Sequence, residues 1–323
     1  MTQKKLAELA HVSVATVSKA FNHSPEISAE TRNAIFDIAK KHGCFDKYYK
    51  EKYKKYVIAV ICPEFQSEYY SDYLSILERE IMKRNATMIV GTADFSEEKA
   101  RELLDYYATF AKVDGVILIE SFIAEIGKYS LPIVSIGPSL SEDIFCIPTN
   151  SSGAIDDATR LFIQNGHKKI GYIGEKLTVK KEVLFKKTLK KYGIECRNEF
   201  FVRSDKRFEK AGFSGMELIF NTGEFPTAIL CAYDNIAIGA IHSIKKHGLS
   251  VPDDISIIGM NNIEEISYIE NPLTSISIHK NLLCTKSLDI LFRQFENPHY
   301  KPTDIETVEA TLLIRESVKN IKR

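Results

Sequence analysis

The chain has 323 residues, of which 44% are hydrophobic and 27% charged, with 43 basic and 43 acidic side chains in formal balance. That length exceeds what one compact core carries and suits about two or three domains. No apolar run approaches the ~20 residues of a membrane-spanning helix, and the start MTQKKLAELA lacks the apolar core of a signal peptide, so a cytoplasmic protein without membrane contact is expected.

The overall balance conceals an asymmetry. Residues 1–56 hold eleven Lys and Arg against six Asp and Glu, so a basic head precedes an acidic body. This is the distribution expected where only the head meets a polyanion.

Within that head, Thr2 is placed to cap a first helix with Leu6, Leu9 and Ala10 on one face. Ser13 caps a second, in which Val14, Val17, Ala20 and Phe21 recur at helical spacing until NHSP ends it. Ser28 caps a third, with Ala34, Ile35, Ile38 and Ala39 inward and Gly43 at its close. Three short helices with a tight turn between the first two make a helix-turn-helix, whose second helix lies in the DNA major groove. With Val17 and Phe21 turned inward, Val14, Ala15, Thr16, Ser18 and Lys19 remain outside. Hydroxyls and helix-terminal N–H groups suit phosphates, small apolar groups suit a thymine methyl, and a lysine amine suits guanine O6 and N7. A docking module for protein alone is the competing reading.

Residues 4–43, KKLAELAHVSVATVSKAFNHSPEISAETRNAIFDIAKKHG, resemble the DNA-binding head of the LacI/GalR family of bacterial transcription regulators, with its V-S-x-x-T-V-S-[RK]-x-x-N element. The resemblance implies a DNA surface of Thr2, Ser13, Val14, Ala15, Thr16, Ser18, Lys19 and Asn22, with Val14 and Ala15 as the variable base-reading pair. Lys19 stands where arginine is usual and lacks its bidentate fork. In the family the next segment, here DKYYKEKYKKY at 46–56, is a hinge that folds on DNA and wedges a leucine into the minor groove. Tyr53 stands at that leucine and Lys50 at a usual alanine, and both are expected to contact DNA.

From residue 57, the runs VIAVICP, TMIVGT, GVILIE and LPIVSIG read as strands, with the amphipathic helices SDYLSILEREIMKR and EEKARELLDYYATFA between them. Short apolar strands separated by helices imply a parallel, doubly wound sheet, and the series restarts near NSSGAIDDATRLFIQNGHKKIGYIG. Two such units facing each other make a cleft at the carboxyl ends of their strands. The fold class is therefore α/β, a three-helix head followed by two doubly wound subdomains. NGHKKIGYIG, PTAILCAYDNIAIGAI, GLSVPDDISIIGMNN and NPLTSI resemble the same family's sugar-binding core, which is itself similar to periplasmic binding proteins. The expected division is a DNA-binding domain at 1–45, a hinge at 46–56 and a core at 57–323. The core's N-subdomain spans about 57–150 plus 279–305, and its C-subdomain about 151–278 plus 306–323.

The resemblance places an effector site at Tyr69, Tyr70, Thr149, Lys181, Tyr233, Asn261 and Ile278. At the matching positions, sugar-responsive members tend to carry two carboxylates and a guanidinium that this sequence has lost. Unpaired sugar hydroxyls would be costly there, so the effector is not expected to be a simple free monosaccharide. Either a more aromatic or anionic ligand meets Lys181 and the tyrosines, or the pocket is vestigial and a protein partner controls the regulator. No Gly-rich phosphate loop, Ser-His-acid series or metal cluster accompanies the fold, so neither enzyme activity nor a cofactor is expected. His167 and the pair Asp253 and Asp254 read as structural. The scattered Cys44, Cys62, Cys146, Cys196, Cys231 and Cys284 read as reduced core residues. The expectation is a homodimeric repressor on palindromic operator DNA; a solute-binding protein without DNA function is the other class.

Overall fold

The computed structural model describes all residues except 50–55, 121–122, 124–128, 138, 140, 142–143, 304–305 and 323. Among the described residues no helix is long and apolar enough to cross a membrane. The head opens with α1 (Gln3–Leu9), whose Lys5 N–H is accepted by the Thr2 hydroxyl at 3.3 Å. Ser13 and Ser28 do the same for α2 (Val14–Phe21) and α3 (Ala29–Lys41), accepting from Thr16 N at 3.0 Å and Thr31 N at 3.2 Å. Gly43 follows α3 at φ 62°, a left-handed turn that other residues avoid. Leu6, Ala7, Val17, Ala20, Phe21, Ile35, Phe36 and Ala39 form the core of the head.

Two inward assignments are corrected. Ala34 is exposed and Leu9 is 36% exposed, while Phe36 and Ala7 are buried. Helical spacing defines a face only to within about one residue, at roughly 100° each, and the neighbouring helices select the stripe.

Residues 46–49 of the expected hinge lie in α4 (Phe45–Tyr49), which packs on the head. Tyr48 is 7% exposed and donates its hydroxyl to the Met1 carbonyl at 2.8 Å; Phe45 stacks on Tyr49 at 4.5 Å. Aromatic burial outweighs the local charge, because each ring hides a large area. Lys50 and Tyr53 lie outside the described residues.

The first lobe contains β1 (Tyr56–Cys62), α5 (Glu68–Lys83), β2 (Ala86–Thr92), α6 (Glu97–Asp105), β3 (Gly115–Ile119), β4 (Ile133–Ile136) and β5 (Phe145–Ile147). Its sheet runs β2-β1-β3-β4-β5, all parallel. Ile58, Val60 and Cys62 pack on one face with α5, and Ala59 and Ile61 on the other with α6. A strand covered on both faces must be apolar at successive positions, which explains the run VIAVIC.

After β6 (Thr149–Asn150) the chain builds a second lobe: α7 (Ser152–Gln164), β7 (Ile170–Glu175), α8 (Val179–Lys191), β8 (Phe201–Ser204), α9 (Phe208–Phe220), β9 (Ala228–Cys231), α10 (Asp234–Lys246), β10 (Ser256–Met260) and β11 (Thr274–Ser277). It then returns through α11 (Lys280–Glu296), whose Leu283, Leu288 and Leu291 pack on the first sheet. The last strands are β12 (Val308–Glu309), beside β6, and β13 (Thr311–Leu313), antiparallel to β11. The second sheet runs β13-β11-β10-β9-β7-β8.

Candidate functional site

On α2 the sequence divides cleanly between inside and outside. Val17, Ala20 and Phe21 are at most 3% exposed, whereas Ser13, Val14, Ala15, Lys19 and Asn22 are exposed and Thr16 and Ser18 half-buried. The face presents hydroxyls at the Ser13-capped N-terminal end of α2 and the Lys19 amine in its last turn, an arrangement suited to a polyanion. Ser13 and Thr16 share a hydroxyl hydrogen bond of 2.8 Å, and Asn22 Nδ2 lies 3.5 Å from Ser18 Oγ. Thr2 is exposed and caps α1. Sequence reasoning missed Glu26, whose carboxylate pairs with the Lys19 amine across the following loop. Arg32 braces that loop by donating to the Ser24 and Ile27 carbonyls at 2.9 and 3.1 Å. An acid in the exposed stretch SPEIS was the available signal.

Between the lobes the expected effector residues separate into groups. Tyr69 and Tyr70 donate their hydroxyls to Glu120 at 3.2 and 2.7 Å, with Tyr70 buried at 6% exposure. Burial first, then the Glu120 charge, raises the Tyr70 hydroxyl far above its ordinary range. Tyr233 donates to Glu175 at 2.9 Å and accepts from Phe208 N at 3.0 Å. Lys181 donates to the Ala232 carbonyl at 2.9 Å. Burial lowers its ammonium below the lysine range, against the opposing charges of Glu120, Asp234 and Glu175. Asn261 and Ile278 line a groove of ≈ 380 Å³ with Asp72, Asn262 and Lys280. Thr149 is exposed and sits on β6 beside Val308, with no polar partner in common with these groups.

The charges read as lost are supplied from elsewhere. Glu120 follows β3, Glu175 ends β7 and Glu64 follows β1; Arg207 precedes α9. Arg207 reaches across the lobes to Glu64 through a bidentate pair of 2.7 and 2.6 Å, and its Nε lies 3.4 Å from Glu175. A search at the carboxyl ends of strands would have found the three glutamates, because ligands in such folds bind there. Five strand-following residues around the cleft, Asp94, Phe95, Glu120, Asn261 and Asn262, and Phe208 at the start of α9, hold left-handed φ values between 50° and 95°. Non-glycine residues avoid this region, and such strain gathers at functional sites.

Other polar residues serve the fold. Asp234, fully buried, accepts from Ser275 Oγ at 2.7 Å and Ile263 N at 2.9 Å; burial raises its carboxyl to about 7. All six cysteines are free thiols.

Comparison with known proteins gives a consistent result. The description "Bacterial regulatory proteins, lacI family" matches residues 2–44, and "Periplasmic binding protein-like domain" matches 159–318. The transcriptional repressor PurR of Actinobacillus pleuropneumoniae serotype 3 is 29% identical over 344 residues, covering 100% of this chain and 99% of that protein. CytR of Escherichia coli K12 is 27% identical, covering 98% and 96%. A Silicibacter pomeroyi regulator superimposes with TM-score 0.76 at 20% identity, and the lac repressor dimer bound to operator and anti-inducer with 0.73 at 21%. Each covers 99% of both chains. At such identities the superpositions speak for the fold.

Proposed function

Because this chain belongs to the LacI family of bacterial regulatory proteins, we propose that it is a sequence-specific DNA-binding repressor acting as a homodimer on a palindromic operator. The observation that carries this is the α2 face: Val14, Ala15 and Lys19 exposed above a buried Val17, Ala20 and Phe21. One head reads too few bases to be selective, and pairing two on a palindrome supplies the discrimination. Its relatives PurR and CytR are named as repressors. The head extends through Tyr49, the hinge follows it, and the two lobes hold a small-molecule effector in the cleft. An operator target places the protein in the cytoplasm, and repression of this kind requires neither catalysis nor a cofactor. A solute-binding role without DNA would leave the capped head, with its polar outward face, unexplained.

The test is selection of bound sites from random duplex DNA, followed by titration. A palindrome is expected, and Lys19→Ala should weaken binding by about 1–3 kcal/mol per lost contact and relax preference at one guanine per half-site. An unchanged base preference would remove Lys19 from the reading surface.

A further inference from the structure

A lysine on the exposed face of α2 has to read a base without the means that an arginine has. A guanidinium carries its donors in a rigid planar fork, whereas an ammonium is a point charge on a flexible four-carbon stem. Guanine presents two acceptors side by side in the major groove, O6 and N7, and a lysine left to itself meets them from many directions. The fold supplies what the stem lacks. The Lys19 amine pairs with the Glu26 carboxylate, seven residues further on, across the loop between α2 and α3.

The loop that carries this carboxylate is tied down. Arg32 donates to two of its carbonyls, Ser24 at 2.9 Å and Ile27 at 3.1 Å, one on either side of Glu26. Ser24 N donates back to the Lys19 carbonyl at 2.9 Å, Ile27 N to the Ser24 carbonyl at 3.2 Å, and Glu26 N to Ser24 Oγ at 3.4 Å. Ser28 then caps α3. The backbone at Glu26 is thus fixed relative to α2 by bonds that begin at Lys19 itself. Both side chains stay open to solvent, Lys19 at 47% and Glu26 at 66%, so their pairing adds little to stability and leaves the amine accessible. A carboxylate on a surface that meets phosphates repels them, and its presence there calls for a compensating role. The count of donors provides one. An ammonium has three N–H groups; one on Glu26 leaves two, the number of acceptors that guanine offers.

We propose that Glu26 is a positioning residue of the DNA-reading surface: its carboxylate holds the Lys19 ammonium in one direction, so that the two remaining donors meet guanine O6 and N7 as an arginine fork would. The proposal rests on α2 being the base-reading helix of the repressor.

Glu26→Gln, an exposed and nearly isosteric change, tests it in the full-length protein. Without DNA, NMR relaxation of the lysine ammonium groups should show the Lys19 ammonium ordered in the wild type and mobile in Glu26→Gln. Titrations then compare the selected operator with one in which the guanine whose preference Lys19→Ala relaxes has been replaced. Losing an acid beside phosphates should tighten binding to both duplexes, yet the preference for guanine should fall by about two- to fivefold, the contribution of an exposed charge pair. In a Lys19→Ala background Glu26→Gln should leave base preference unaltered. Adding Lys19→Arg to Glu26→Gln should restore it, because the arginine brings its own fork. An ammonium equally mobile in both proteins, a guanine preference undiminished in Glu26→Gln, a further change of preference in the Lys19→Ala background, or an arginine that restores nothing would each overturn the proposal. A wild type that selects no duplex would overturn the repressor reading and the proposal with it. A wild type that selects its operator while Glu26→Gln keeps the full preference would overturn the proposal alone.

Discussion

His167 stands between α7 and β7 with Nδ1 3.0 Å from Thr227 Oγ1 and Nε2 3.0 Å from the Lys319 carbonyl. A carbonyl only accepts, so Nε2 carries the proton and Nδ1 accepts from the threonine; the neutral ring ties the C-terminal segment to the second lobe. Burial lowers its affinity for a second proton below the ordinary histidine value. A depressed folded value means that the unfolded chain binds the proton first as pH falls. The ring's contribution is thus complete above the unfolded value near 6.5 and declines as pH drops toward the folded one. Melting curves should show the wild type losing stability as pH falls below about 6.5, with His167→Gln less stable at neutral pH and flatter across that fall. Parallel profiles for the two proteins would contradict the tie. Sequence spacing had assigned this histidine a structural place, and its two partners supply the reason.

At the scale of elements, α9 and α10 cross with their backbones in contact. A Cβ on Gly212 would meet the Ile236 carbonyl, and one on Gly239 the Glu209 carbonyl. Neither obstacle is a movable side chain, so Gly239→Ala must separate the helices and should cost about 1–3 kcal/mol or more in denaturant unfolding, against a few tenths for an exposed site. An unchanged midpoint would mean that the crossing yields. The segment after α4 makes a different kind of prediction. If Lys54 and Lys55 follow phosphates, replacing both with alanine should make the slope of log affinity against log salt shallower by about 0.9 for each contact removed. An identical slope would reduce the segment to a tether. In sequence Tyr48 and Tyr49 look like part of a charged run, but Tyr48 is buried and Tyr49 half-buried against rings on α2 and α3.

For the whole molecule, the bond between Arg207 and Glu64 joins one lobe to the other, and Asn235 Nδ2 adds a second bridge to Glu68 at 3.3 Å. On the proposed function, a ligand would change operator affinity only by favouring one arrangement of the lobes over another, and such bridges would help set that balance. Arg207→Ala should shift the population toward a more open cleft, seen as a larger radius of gyration in solution scattering. Glu64→Ala should give the same shift, and the double variant little more, since both remove one interaction. Additive effects would show that the two side chains act separately.

The head and the doubly wound lobes were legible because their signals are local. A serine three residues before the N–H it caps, and an unbroken apolar strand between helices, hold regardless of what lies elsewhere. The exposed face of α2 could be read for the same reason, since burying Val17 and Phe21 leaves Val14, Ala15 and Lys19 outside. The cleft could not be read this way. Position by position, Thr149, Lys181 and Tyr233 suggested lost carboxylates and a free cation. Folding brings Glu64, Glu120, Glu175 and Arg207 together from four separate stretches and commits Lys181 to the Ala232 carbonyl. Electrostatic character belongs to groups a few ångströms apart in space, whatever their distance in sequence, so only the tertiary structure decided the charge of the site.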